Sequence, residues 1–351
     1  MRLRATLCCL VLLAGCDSPV AAPAPPPHAL LWSNADSVFA LDGDQPHRLG
    51  TFVIGTVGWS ADGRTAAAII AEDRERPSDL VVWSAGAPER RTGCAGCNGA
   101  VITGDEVRTA VESGIRRFAL SDLAPRATID STPPMPSEVL EFPDPVDRDT
   151  YPVVVAATPE RTTLSHLVTA YPVLLAYVYA VDESGAVVWR HDVDGDVPPR
   201  DLQADATATR LAFSQGRSQG DCGFESETVV LDLASGAAVV WPSEELPGMN
   251  TELLDLWWNG PDLVATHGSH ADAGEGCGGM RYSTSLLSGG QWQKVGKTDQ
   301  YYLLRVLPSG ARVALDVVDG LTITENGTRR VLADHGSAVW TPTLREPVRL
   351  P

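Results

Sequence analysis

Asp192-Val193-Asp194-Gly195-Asp196, followed by Asp201, sets alternating carboxylates around a glycine turn. Such a turn can direct several oxygens at one hard cation, so Asp192, Asp194, Asp196 and Asp201 are candidate calcium ligands. A plain acidic turn between structural units is the competing reading. Cys94-Ala95-Gly96-Cys97 has the spacing of a redox pair, whose attacking thiolate needs a helix N-terminus to stabilise it. Asn98-Gly99 makes a turn directly afterwards, so a structural disulfide is expected there, with redox and metal roles as alternatives. His267-Gly268-Ser269-His270-Ala271-Asp272, with Glu275 nearby, offers imidazole and carboxylate groups suited to zinc, against a loop of solvated histidines.

Two further patterns match catalytic motifs in letters but not in context. Gly216-Arg217-Ser218-Gln219-Gly220 fits G-x-S-x-G, which needs a strand, a sharp turn and a helix to expose the serine. Here it sits in a Gly-rich stretch between β runs. Gly274-Glu275-Gly276-Cys277-Gly278-Gly279 contains G-x-G-x-x-G, but no helix follows to face a pyrophosphate. No catalytic residue is assigned. No cofactor is expected beyond the calcium that the aspartates would hold.

From Ala29 onward, short β-rich runs alternate with Gly, Asp, Asn and Ser turns, and helical spacing is nowhere sustained. A repeat narrows this all-β pattern. Residues 57–92 read as four strands: Val57 to Trp59, Thr65 to Ile70, Leu80 to Trp83 and Glu89 to Thr92. The same cadence ends the chain, from Tyr302 to Ala333, and comparable units lie between. Residues 29–342 divide into seven units of about 45 residues, the size of a four-stranded propeller blade; six and eight are also compatible. The first unit shows only three strands, at Leu30–Ser33, Val38–Leu41 and His47–Thr51. Ala338-Val339-Trp340 supplies the missing inner one. The expectation is a single β-propeller over 29–351, closed by a C-terminal strand that completes the N-terminal blade.

Trp59-Ser60-Ala61-Asp62-Gly63-Arg64, followed by Leu80-Val81-Val82-Trp83, resembles the repeat of TolB-like and WD-repeat-like β-propellers, with Ala61 in place of their usual proline. The likeness covers one unit closely and the rest by cadence. It implies a propeller that serves as a binding platform and carries over no catalytic residues. The Asp192–Asp196 loop resembles those of integrin-type propeller repeats, although Asp201 falls one position late for that pattern.

The N-terminus supplies an address. Arg2 and Arg4 precede an apolar run from Leu7 to Ala14 that is too short to span a bilayer. Leu13-Ala14-Gly15-Cys16 resembles the lipobox of bacterial lipoproteins, which implies cleavage before Cys16 and diacylglycerol on its sulfur. An ordinary secretory signal cleaved after Ala22 is the alternative. Residues 1–15 are then a signal peptide, and 16–28, with five prolines, a tether. The formal charge of −18 becomes −20 once Arg2 and Arg4 leave, an acidity that repels phosphate backbones and argues against nucleic-acid partners. Of seven cysteines, Cys8 and Cys9 leave with the signal and Cys16 is lipidated. The remaining four favour Cys94–Cys97 and Cys222–Cys277 as disulfides in an exported protein.

Together these features predict an exported cell-envelope protein, held at the membrane by lipid alone. Its propeller acts as a non-catalytic binding or scaffold module for an envelope or extracellular protein or ligand. Two alternatives stand beside it: a lactonase- or quinoprotein-type enzyme with a metal or cofactor in its channel, and an accessory or sensor lipoprotein of a signalling or secretion complex. Cys16→Ala is expected to release the protein from membranes into the soluble fraction, measured by fractionation; retention would refute the lipid anchor.

Overall fold

The computed structural model describes residues 30–134 and 152–350, apart from 35, 44, 74–76, 171–172, 219–223, 244–248, 272–280, 298–300, 317 and 334–336. The signal, the tether, Cys16, Cys222 and Cys277 lie outside the described residues. Runs of two to eleven residues pair with their sequence neighbours, and four runs make each sheet. Aspartate-capped turns help to set the hairpins. Asp182 Oδ1 accepts from the backbone N–H of Ser184 and of Ala186, and Asp232 Oδ1 accepts from those of Ala234 and Ser235.

Seven four-stranded antiparallel blades form the ring, so the fold is an all-β, seven-bladed propeller. The first blade joins β28 (Ala338–Trp340) to β1 (Leu31–Ser33), β2 (Val38–Asp42) and β3 (Gln45–Gly50). The second is β4 (Phe52–Trp59), β5 (Thr65–Ala71), β6 (Asp79–Ser84) and β7 (Arg90–Gly93), and the third β8 (Asn98–Thr103), β9 (Glu106–Val111), β10 (Gly114–Ala119) and β11 (Ile129–Asp130). The fourth comprises β12 (Val153–Thr158), β13 (Arg161–Ala170), β14 (Val173–Asp182) and β15 (Val187–Val193). The fifth has β16 (Arg200–Ala204), β17 (Arg210–Ser218), β18 (Phe224–Asp232) and β19 (Ala238–Pro242). The sixth has β20 (Met249–Asn259), β21 (Asp262–Ala271), β22 (Arg281–Ser288) and β23 (Gln291–Lys297), and the seventh β24 (Tyr301–Val306), β25 (Arg312–Asp316), β26 (Gly320–Glu325) and β27 (Thr328–Ala333).

Strands β8, β11, β13 and β16 were not among the predicted runs. Each lacks a clean β signature: β8 opens on Asn-Gly, β11 has two residues, β13 is rich in Thr and Ser, and β16 is Arg-Asp-Leu-Gln-Ala. Their blade neighbours, rather than their own composition, hold them extended.

The core is a series of wedges between blades. Leu31, Val38, Ile70 and Val81 fill the seam between the first and second; Ile69, Leu80, Val107 and Phe118 that between the second and third. Similar clusters fill the next seams round to the sixth blade, and the seam between the seventh and the first. Outer tryptophans stitch neighbouring blades. Trp189 donates through Nε1 to Leu233 O and lies against Gly236 (φ +73°), where an added Cβ would come within 2.8 Å of the indole. Between the third and fourth blades a partly buried ion cluster adds to the hydrocarbon. Arg108 reaches Glu106 at 2.6 Å and Glu183 at 2.9 Å, and Arg117 also binds both carboxylates. Burial pushes the Glu106 carboxyl up, but hydrogen bonds from Arg117 and Arg108 outweigh it and hold the acid ionised.

Closure follows the expected register: Leu31 pairs with Trp340, Trp32 with Val339 and Ser33 with Ala338. The chain then continues beyond β28 as a strap. Pro342 packs on Gly63 of the second blade, Thr343 Oγ1 donates to Ala204 O of the fifth, and Val348 is held by Asn259 of the sixth through two hydrogen bonds of 2.8 and 2.9 Å. Leu344, Val348 and Leu350 cover Trp257, Val264 and Leu286. Truncation after Gly336 is expected to lower stability by roughly 5 kcal/mol or more, because it removes both the closing strand and these apolar contacts. An unchanged unfolding midpoint would rule the closure out.

Candidate functional site

The first strands of the seven blades surround a central channel of about 1610 Å³. Its walls differ. Ile54, Val57, Val101, Val153 and Val155, from the second to fourth blades, make an apolar side. There the backbones nearly touch: a Cβ on Gly55 (φ +73°) would sit 2.5 Å from Gly99 N, so only glycine permits that approach. The opposite side, from the fifth to seventh blades, carries Asp201, Asp255 and Arg305.

Asp255 and Arg305 form a forked pair across neighbouring blades. Arg305 Nη2 donates to Asp255 Oδ1 at 2.6 Å and Nη1 to Asp255 Oδ2, while Nη1 also reaches Leu304 O. The guanidinium lies over the Trp257 ring, 5.2 Å from its centroid. Both side chains are buried, so removing either partner would strand a charge, at about 3–5 kcal/mol.

Asp201 lies within the electrostatic reach of that pair but makes no hydrogen bond with it. It adopts φ +53°, in the left-handed region, where the register of β16 against β17 shifts between Arg200 and Gln203. Bulges of this kind re-aim a side chain, and residues held in this region collect at functional sites. Burial pushes the Asp201 carboxyl up to about 7; Asp255 adds to the rise, and Arg305 and Arg200 oppose it.

The four candidate calcium ligands do not converge. Asp192 is taken by Arg190 at 2.5 Å and Asp194 by Arg217 at 3.1 Å, while Asp196 donates its backbone N–H to Gly216 O. Asp201 faces the channel. Among the described residues no group of three or more His, Cys, Asp or Glu gathers as a metal site. The predicted Cys94–Cys97 disulfide is present, both residues buried in the seam between the second and third blades. His267 and His270 are in β21 rather than in a loop. His267 is fully buried edge-on to Trp292, its nitrogens without hydrogen-bond partners, and desolvation lowers its pKa to about 4. Gly216, Arg217 and Ser218 extend β17; Gln219 and Gly220 lie outside the described residues.

Asp255 and Arg305 are not among the residues singled out from the sequence, because each stands alone in an apolar run. A signal was nevertheless present. Leu253-Leu254-Asp255-Leu256 and Leu303-Leu304-Arg305-Val306 each place one charge, of opposite sign, inside an apolar run of successive blades. A charge in such a run must be paired or face a cavity.

No family model matches the chain, and no curated protein matches it. Solved structures do. The β-propeller domain of the Trilobed protease from Pyrococcus furiosus is 10% identical, with 88% of this chain and 95% of that chain covered and a TM-score of 0.48. The tricorn protease is 12% identical, with 90% and 35% covered and a TM-score of 0.48. A putative 6-phosphogluconolactonase from Bacteroides fragilis is 12% identical, with 89% and 97% covered and a TM-score of 0.46. Each likeness is one of architecture, at an identity too low to carry a function.

The raised pKa gives a test with a definite sign. Unfolded, Asp201 releases its proton near the ordinary aspartate value of 3.8; folded, it keeps it to about 7. The native state therefore binds more protons between those values, and stability falls as pH rises through them. Asp201→Asn, which tolerates the left-handed conformation, removes the penalty. The variant is expected to match the wild type near pH 4 and to exceed it above pH 7, by on the order of 2 kcal/mol in denaturant melts. Parallel stability curves would show that Asp201 is not perturbed.

Proposed function

We propose that this chain is an exported, lipid-anchored binding propeller whose contact surface is one face of the ring, with the channel opening onto it. The observation that carries this is the C-terminal strap. Strand direction alternates within a blade, so the first-to-second and third-to-fourth turns share one face. The second-to-third and blade-to-blade connections share the other. The strap runs over the first of these, touching Gly63, Ala204 and Asn259; among the described residues no such strap crosses the second, the loop face. The chain also begins its first blade on the strap face, since Leu31 pairs with Trp340 just before the strap starts. A tether of residues 16–28 reaches at most roughly 45 Å. It would join the ring on the strap side and leave the loop face directed outward.

Segments 215–227 and 267–281 are partly strand: β17 and β18 pair as far as Ser218 with Phe224, and β21 and β22 as far as Ser269 with Arg281. Two raised hairpins of adjacent blades therefore mark the loop face, and the proposed Cys222–Cys277 disulfide would join their tips. A photo-crosslinking residue in place of the exposed Arg217, on the loop face, is expected to capture an envelope component in native membranes. The same residue in place of Ser184, in a turn on the strap face, is expected to capture none. Capture from Ser184 alone, or from neither, would overturn the reading.

Asp201 favours a second reading, a channel enzyme. A carboxyl that changes protonation near neutrality on an accessible wall suits general acid–base catalysis. Turnover by the purified protein that is lost in Asp201→Asn would separate it from the first.

A further inference from the structure

We infer that the channel binds a small organic cation, an ammonium or guanidinium group on an apolar body, with Asp201 as its counter-charge. This goes beyond the binding face proposed above and assigns the channel itself a ligand class.

The charges in the channel leave one position open. Arg305 spends both terminal nitrogens on Asp255 and its face on Trp257, so the two charges cancel within a rigid fork. Asp201 has no hydrogen-bond or ion-pair partner among the described residues, yet its side chain reaches the channel surface. Once ionised, it is met only by the more distant fields of Arg305 and Arg200, with no hydrogen bond or ion pair of its own among the described residues. A lone carboxylate beside apolar walls is unfavourable until a positive charge joins it. The left-handed conformation and the register shift hold it in that position, against backbone preference.

The facing wall describes the rest of the ligand. Ile54, Val57, Val101, Val153 and Val155 offer hydrocarbon and no counter-charge. A ligand spanning the channel would thus be charged at one end and apolar at the other. A divalent metal fits less well, because Asp255 is already committed to Arg305 and no third ligand gathers at Asp201. An anionic ligand would meet the unpaired carboxylate directly.

Calorimetric titration of the purified protein at pH 8 with phenethylammonium, its neutral isostere 2-phenylethanol, and calcium tests this. The ammonium is expected to bind at least about tenfold more tightly than the alcohol, and Asp201→Asn to erase that preference while leaving the weak alcohol binding unchanged. Asp201→Ser, which also removes the charge, repeats the test should the first variant fail to fold. Equal binding of ammonium and alcohol, an unchanged preference in both variants, or calcium binding without ammonium binding would overturn the inference. Crosslinking from Arg217 is independent of these titrations. A partner captured there without any ammonium preference would defeat the ligand class and leave the binding-platform reading standing.

Discussion

Closure of the ring by three residues at each end is the constraint on which the remaining structure depends. Six of the seven blades are built from consecutive hairpins, which form from local sequence. The first blade takes its inner strand from the far end of the chain, and until Ala338–Trp340 pairs with Leu31–Ser33 the ring has two open edges. Every apolar wedge between blades is filled from both sides, so a missing blade strand would expose two seams together. Trp32 and Trp340 carry the closure into those seams, Trp32 with Leu303 and Val313, Trp340 with Ala66 and Trp83.

The seam between the sixth and seventh blades is held differently. Asp255 and Arg305 cross it as a buried forked pair, and the strap brings Leu344 and Val348 against Trp257 and Val264 beside it. A charged pair contributes little net stability over hydrocarbon, but it tolerates no misplacement, because either member alone would be a buried charge. The strap thus joins two tasks. It finishes the packing of the sixth blade, and it covers part of one face of the ring. The channel takes its asymmetry from the same arrangement, with glycine-mediated close contact among the second to fourth blades and charged groups on the fifth to seventh.

Much of the architecture is legible in the residues. Turn chemistry at Ser60–Gly63, Asp182–Gly185 and Asp232–Gly236 marks hairpins, and the unit length of about 45 residues separates a propeller from a sandwich. The closing strand is visible because Val339-Trp340 echoes Gly58-Trp59 where the first unit lacks a strand. The Cys94–Cys97 bridge follows from its spacing and from the turn after it. Strands such as Arg200–Ala204 are not legible, since nothing in Arg-Asp-Leu-Gln-Ala prefers an extended form over a loop. That gap hid the place of Asp201 on an inner strand, so from sequence it reads only as the last member of an acidic run.

The sequence by itself determined what depends on neighbours a few residues apart: hairpins, their turns, the repeat and hence the ring, and the short-range disulfide. The tertiary structure alone decided what depends on residues 50 to 140 positions apart. It turned Asp201 from a member of an acidic run into a channel carboxylate in the field of Asp255 and Arg305. It paired Asp255 with Arg305, and it laid Thr343 and Val348 across Ala204 and Asn259. The physical reason is that backbone turns and periodicity are encoded locally, whereas the field at a carboxylate is set by whichever blades the closed ring brings around it.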